Sequence, residues 1–180
     1  LVPVMFNPDI LPKRVNKSDG EDLVLTSACN YYDGVSQKEF EQFYAAQKQP
    51  SDDEPVSYGL NTKLVKEDGI IKEIPYTTNC LYQKELKRIV YWLGKAREFA
   101  ENEQQKMIIS LLIRYYETGD LKLFDKYSIG WLKEQDGQVD FINGFIEVYG
   151  DPLGLKGSWE GLVEYKDLEA TKRTQLISKN

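Results

Sequence analysis

The chain has 180 residues, 41% hydrophobic and 29% charged, a balance that excludes a mainly disordered state and suits one domain or two small lobes. With 23 basic against 29 acidic side chains the net charge is −6; this opposes the phosphate neutralisation that nucleic-acid binding needs, and no apolar run nears the roughly 20 residues that span a bilayer. Two cysteines are too few for a disulfide scaffold, and the absence of histidine excludes Ser-His-Asp, Cys-His and most catalytic zinc sites built from this chain alone.

Residues 1–20 carry three prolines and no sustained period, which predicts an extended arm packed through Val4, Phe6, Ile10 and Leu11, or a partly ordered terminus. The start at Leu1, without an initiator Met or the regions of a signal peptide, suggests a mature product or a piece of a larger protein. Ser36 and Glu39 form a capping box that opens a helix over about 36–48, with Phe40, Phe43, Tyr44 and Ala46 along one side. The stretch 49–55 reads as a surface loop with a solvated acidic tip. Alternation on both sides of Asp68-Gly69 predicts a hairpin, with glycine supplying the positive φ of a tight turn.

Three neighbouring helices follow, over about 82–101, 104–118 and 121–135. The first turns Leu86, Ile89, Val90, Leu93, Ala96 and Ala100 inward, and the second Met107, Ile108, Leu111, Leu112 and Tyr115. Gly119 is a left-handed C-cap, Asp120 an N-cap, and the third helix turns Leu121, Phe124 and Leu132 inward. A strand with both faces covered is predicted near 139–149. After the glycine-rich turn 150–157 comes a second strand near 158–166, with Trp159, Gly161, Val163 and Tyr165 on one side. Asp167 caps a last helix that runs to the chain end. The result is an α+β fold, helices packed with a small, mainly antiparallel sheet. Phosphate-loop, dinucleotide-fingerprint, Cys-x-x-Cys, EF-hand and Nudix motifs are all absent from the sequence.

The run NGFIEVYGDPLGLKGSWEGLVEYKD (143–167) resembles a segment of the M49 zinc metallopeptidases, the dipeptidyl peptidase III family, in its Bacteroides-type branch. The blocks NYYDGVSQKEFEQFY (30–44), SYGLNTKLVKEDG (57–69), YWLGKAREFAENEQQK (91–106) and TGDLKLFDKYSIGWLKEQDG (118–137) follow in the family's order. The resemblance implies a much longer parent that releases dipeptides from the N-terminus of short peptides, using one zinc held by two His and one Glu. Those ligands lie in an H-E-x-x-G-H helix and an E-E-x-x-A-D type segment, neither of which occurs here. Residues 1–166 would then be the non-zinc lobe, one wall of the substrate cleft, and 167–180 the start of a helix toward the zinc lobe of the same polypeptide. This chain alone would bind no zinc and be inactive, and the parent would be cytoplasmic.

The family's F-I-E-x-Y signature maps onto Phe145 to Tyr149. Residues two apart on a strand share a face, so Glu147 and Tyr149 could reach one cleft together. The resemblance gives Glu147 the peptide's α-amino group and Tyr149 a catalytic hydroxyl near the scissile carbonyl. It makes Trp131 a cleft-lining residue and leaves Val148, often Ser in the family, a backbone that can pair with an extended peptide. The structural alternatives are a polar strand position for Glu147, a core aromatic for Tyr149 and a core residue for Trp131. Tyr31, Tyr32, Asn61 and Thr62 match family blocks and are given structural roles. A free-standing, non-catalytic peptide-binding α+β module is the competing function.

Overall fold

The computed structural model describes residues 1–5, 13–47, 53 and 55–179. Its elements are α1 (Val2–Met5), β1 (Tyr32–Asp33), α2 (Gln37–Gln47), β2 (Thr62–Glu67), β3 (Ile70–Pro75), α3 (Gln83–Glu98), α4 (Glu103–Thr118), α5 (Leu121–Lys133), β4 (Val139–Glu147), β5 (Ser158–Tyr165) and α6 (Leu168–Ser178). The α+β expectation holds, with the strands divided between two sheets. One is three-stranded in the order β1-β2-β3, the other is the β4-β5 pair. β2-β3 and β4-β5 are antiparallel, and β1 adds in parallel, Tyr32 opposite Leu64.

Local chemistry accounts for the element ends. The Ser36 amide and hydroxyl donate to the Glu39 carboxylate at 3.0 and 2.9 Å, and the Glu39 amide donates back to the Ser36 hydroxyl at 3.4 Å, closing the predicted capping box. Asp68 and Gly69 both have positive φ, 51° and 79°, as a two-residue turn of the hairpin type requires. Gly119 caps α4 at φ 75°, while Asp120 and Asp167 accept amide bonds at the starts of α5 and α6.

Among the described residues two apolar cores result. The larger joins α3, α4 and α5 through Leu86, Leu93, Ile108, Ile109, Leu112 and Tyr115, and receives Phe145 from β4. The smaller lies between α2 and the three-stranded sheet, built on Val35, Phe40, Tyr44 and Leu64, with Leu153 and Leu155 of the β4–β5 connection packed against it. Phe145 on β4 and the connection that follows it therefore reach one core each.

Several expectations need correction. Residues 2–5 form one helical turn instead of an extended arm, closed by the Val4 amide on the Leu1 carbonyl at 3.0 Å, and Val4 is 44% exposed. Phe6, Ile10 and Leu11 lie outside the described residues, as does most of loop 49–55. Leu132 is 65% exposed, and α5 instead buries Leu123, Tyr127 and Gly130. Met107 and Ala46 also face outward. The covering expected for β4 fails at its start, where Val139 and Asp140 are exposed, as are Val163 and Tyr165 on the strand paired with it. β4 stops at Glu147, two residues short of the predicted limit.

Candidate functional site

Of the functional residues proposed from sequence, Glu147 ends β4 and Val148 and Tyr149 follow it directly. Phe145 pairs with Trp159, but Glu147 pairs with Ser158, so the register shifts within that step. Ile146 is the extra residue of a bulge, which breaks simple two-residue alternation. Val148 and Tyr149 lie beyond the strand, in a turn. The shared-face reasoning for Glu147 and Tyr149 therefore does not hold.

Glu147 is half-buried. Its backbone carbonyl accepts the Ser158 hydroxyl at 2.9 Å, while its carboxylate has no hydrogen-bond or ion-pair partner among the described residues. The Val148 carbonyl accepts the Asp151 amide at 3.0 Å, so pairing with an incoming peptide would fall to the Val148 amide. Tyr149 is 75% exposed, which sets aside the core-aromatic alternative. Trp131 is placed elsewhere. Its indole donates to Asp140 at 2.7 Å, and Asp140 stands seven residues before Glu147 on β4, about 23 Å away at the strand rise of 3.3 Å per residue.

The turn after Glu147 is held by a buried carboxylate. Asp151 accepts the amides of Leu153, Leu155 and Lys156 at 3.1, 2.8 and 2.7 Å. It also takes the Tyr32 hydroxyl on both oxygens at 2.8 and 2.9 Å. Burial, then the negative charge of Asp151, pushes the Tyr32 hydroxyl pKa far upward, so the phenol stays a donor. A buried ammonium closes the other end of the connection. Lys156, 0% exposed, donates to the Thr62 hydroxyl at 2.7 Å and to the Tyr44 hydroxyl, stands 3.5 Å from Glu73 and lies 4.7 Å from the Tyr44 ring centre. Burial lowers its pKa to about 8, against the raising effect of Glu73 and Asp151.

A cavity of about 480 Å³ adjoins this end of the hairpin, lined by Tyr31, Tyr76, Tyr82, Phe145, Ser158 and Trp159 with Arg14 and Glu85 among its polar members. Tyr31 thus contributes to a cavity wall, beyond the structural role given to it from sequence. Asn61 does have a structural role, donating to the Gly119 carbonyl at 3.0 Å. Sequence reasoning missed Asp151 and Lys156. An Asp followed by Pro inside a glycine-rich turn was the available signal for the first, while a lysine in such a turn reads as solvated.

No grouping of three or more His, Cys, Asp or Glu able to hold a metal ion occurs among the described residues, and the chain has no histidine. Among the described residues no helix is long and apolar enough to cross a membrane.

The family model of peptidase family M49 matches residues 13–180. The chain belongs to that family. Curated relatives include dipeptidyl peptidase 3 of Dictyostelium discoideum, 31% identical over 108 residues, covering 58% of this chain and 16% of the relative. The Homo sapiens dipeptidyl peptidase 3 is 32% identical over 82 residues, covering 46% of this chain and 11% of the relative. Dipeptidyl peptidase III of Caldithrix abyssi superposes with a TM-score of 0.64 at 22% identity, over 91% of this chain and 31% of that one. The Corallococcus enzyme does so at 0.61 and 22% identity, over 83% and 27%. These likenesses support the fold, and the M49 chain spans less than a third of the length of each.

Proposed function

We propose that this M49 chain is part of a longer dipeptidyl peptidase and forms the wall of the cleft that receives the amino terminus of short peptides. In this reading residues 1–166 are the non-zinc lobe and α6 leads toward a zinc lobe that supplies the metal site this chain lacks. A cytoplasmic location belongs to the same proposal, and the free thiols Cys29 and Cys80 are compatible with it.

The observation that carries the reading is the Glu147 carboxylate, half-buried at a strand end and unpartnered among the described residues. A partly desolvated carboxylate with free acceptor positions suits a peptide ammonium, because a charge taken from water requires a charged, hydrogen-bonding partner. Capturing the amino terminus there would set the dipeptide register. Tyr149, on the adjoining turn, would donate its hydroxyl to the scissile carbonyl oxygen as negative charge builds on it. Trp131 would meet only a peptide long enough to run the length of β4.

The test uses the full-length polypeptide with free and N-acetylated peptides of one sequence. Wild type should prefer the free amine, and Glu147→Ala should lose that preference with a roughly ten- to hundred-fold fall in kcat/KM, the worth of one charge-assisted bond. A Glu147→Ala variant that keeps the wild-type ratio would refute the role. Reading the parent gene past Asn180 for H-E-x-x-G-H separates this proposal from the free-standing binding module.

A further inference from the structure

The connection from Val148 to Gly157 is unusual in what it buries. A ten-residue link between two strands ordinarily runs over the surface, with its charges in water. Here one carboxylate and one ammonium of the link are both fully enclosed, although burying each costs free energy that a glycine-rich turn need not incur. Each of the two charges is bound to the same neighbouring unit. Asp151 is held by Tyr32 of β1. Lys156 is held by Thr62 of β2 and by Tyr44 of α2, and it faces Glu73 of β3, to which Thr62 also donates at 2.7 Å. Between the two charges Leu153 and Leu155 pack on the smaller core, and just beyond them the Gly157 amide donates to the Leu60 carbonyl at 2.7 Å. The Ser158 hydroxyl then returns to the Glu147 carbonyl, closing a ring of contacts around the segment that carries Glu147 and Tyr149.

We infer that Asp151 and Lys156 are positioning residues that clamp the 148–157 connection to the β1–β3 sheet through Tyr32 and Glu73, and so fix Glu147 and Tyr149 relative to the bound peptide. The inference rests on the amine-binding reading of Glu147. Neither charged group touches substrate. Their effect is on where the two reading groups stand, and displacements of about 1 Å can cost up to a hundred-fold in rate.

The experiment compares Tyr32→Phe, Lys156→Met and Glu147→Ala in the full-length polypeptide. It measures kcat, KM, the ratio of free to N-acetylated peptide cleavage, and the melting temperature. Tyr32→Phe removes a single hydroxyl and leaves Asp151 its three amide partners, so it keeps the question answerable even where Lys156→Met fails to fold. Both variants should lose roughly ten-fold in kcat/KM and move the free-to-acetylated ratio toward that of Glu147→Ala, with Tyr32→Phe melting within a few degrees of wild type. Tyr32→Phe with wild-type kcat/KM and ratio, beside a Glu147→Ala that loses the preference, would overturn the clamp and leave the amine-binding reading standing. A Glu147→Ala with the wild-type ratio would overturn both.

Discussion

Lys156 makes a prediction about stability whose sign and size follow from its surroundings. Its ammonium is enclosed, with two hydroxyls and the Glu73 carboxylate as partners. Burial outweighs them and brings the pKa from 10.5 to about 8. Between pH 8 and 10.5 the unfolded chain therefore holds a proton on this lysine that the folded chain has released. Unfolding then takes up a proton, and stability rises with pH across that interval. At 1.36 kcal/mol per pH unit, the gain between pH 8 and 10 is about 2 kcal/mol. Tyrosine sets the upper limit of the window. Burial raises the pKa of Tyr32, Tyr44, Tyr76, Tyr115, Tyr116 and Tyr127, so from about pH 9 the unfolded state gains from ionising phenols that the fold keeps neutral, and by pH 10 this loss, about 2 kcal/mol for the six together, offsets the Lys156 gain. Urea unfolding of the 180-residue chain, followed by tryptophan fluorescence at half-unit steps from pH 7 to 9, should show a rise of about 1 kcal/mol in wild type. Lys156→Met should lack it, because Met has no proton to release. Identical pH slopes in the two proteins would refute the reasoning.

Other changes test the packing and the site. Alanine at Gly144 would place a Cβ 2.7 Å from the Phe124 ring, and Gly144→Ala should lower stability by about 1–3 kcal/mol in urea melts. Ser36→Ala opens the capping box of α2 and should cost about 1 kcal/mol by the same assay. Glu39, held near pKa 2 chiefly by its bond to Lys66 and then by Ser36, contributes stability above pH 4.5 that is lost as pH falls through about 2. Glu39→Gln should accordingly flatten the acid limb of the stability profile. In the full-length polypeptide Tyr149→Phe should lower kcat by about ten- to a thousand-fold with little change in KM, as loss of a donor that matters only when charge develops. A matching rise in KM would assign Tyr149 to ground-state binding instead.

What could be read from the sequence was what neighbouring residues decide among themselves. The Ser36–Glu39 box, the Asp68-Gly69 turn, the Gly119 cap and the Asp120 and Asp167 caps each depend on groups within four residues, and all are present. On α5 the expected Leu121 and Phe124 do pack on the larger core and only Leu132 faces water; the fully buried stripe lies beside them and uses residues that hydropathy does not mark. On α5 Leu123, Tyr127 and Gly130 recur at four and three residues, but a tyrosine and a glycine concealed the period. Glu147 and Tyr149 are named through resemblance alone, and strand alternation does not relate them, because the register shift between Phe145 and Glu147 leaves no mark in composition. Asp151 and Lys156 stayed hidden because their partners are distant in sequence. Tyr32 lies 119 residues before Asp151 and Thr62 94 residues before Lys156, and only the folded chain makes a loop lysine a buried one. The two-residue strand β1 was invisible for the same reason, since a parallel edge pairing follows from where β2 lies.

Whether Glu147 holds the substrate amino terminus is decided by a structure of the full-length polypeptide with a short peptide bound. The peptide's α-ammonium should lie about 2.7–2.9 Å from the Glu147 carboxylate, the range of a charge-assisted bond, with the Tyr149 hydroxyl directed at the second peptide carbonyl. An ammonium held by other groups, with the Glu147 carboxylate left facing solvent, would contradict it.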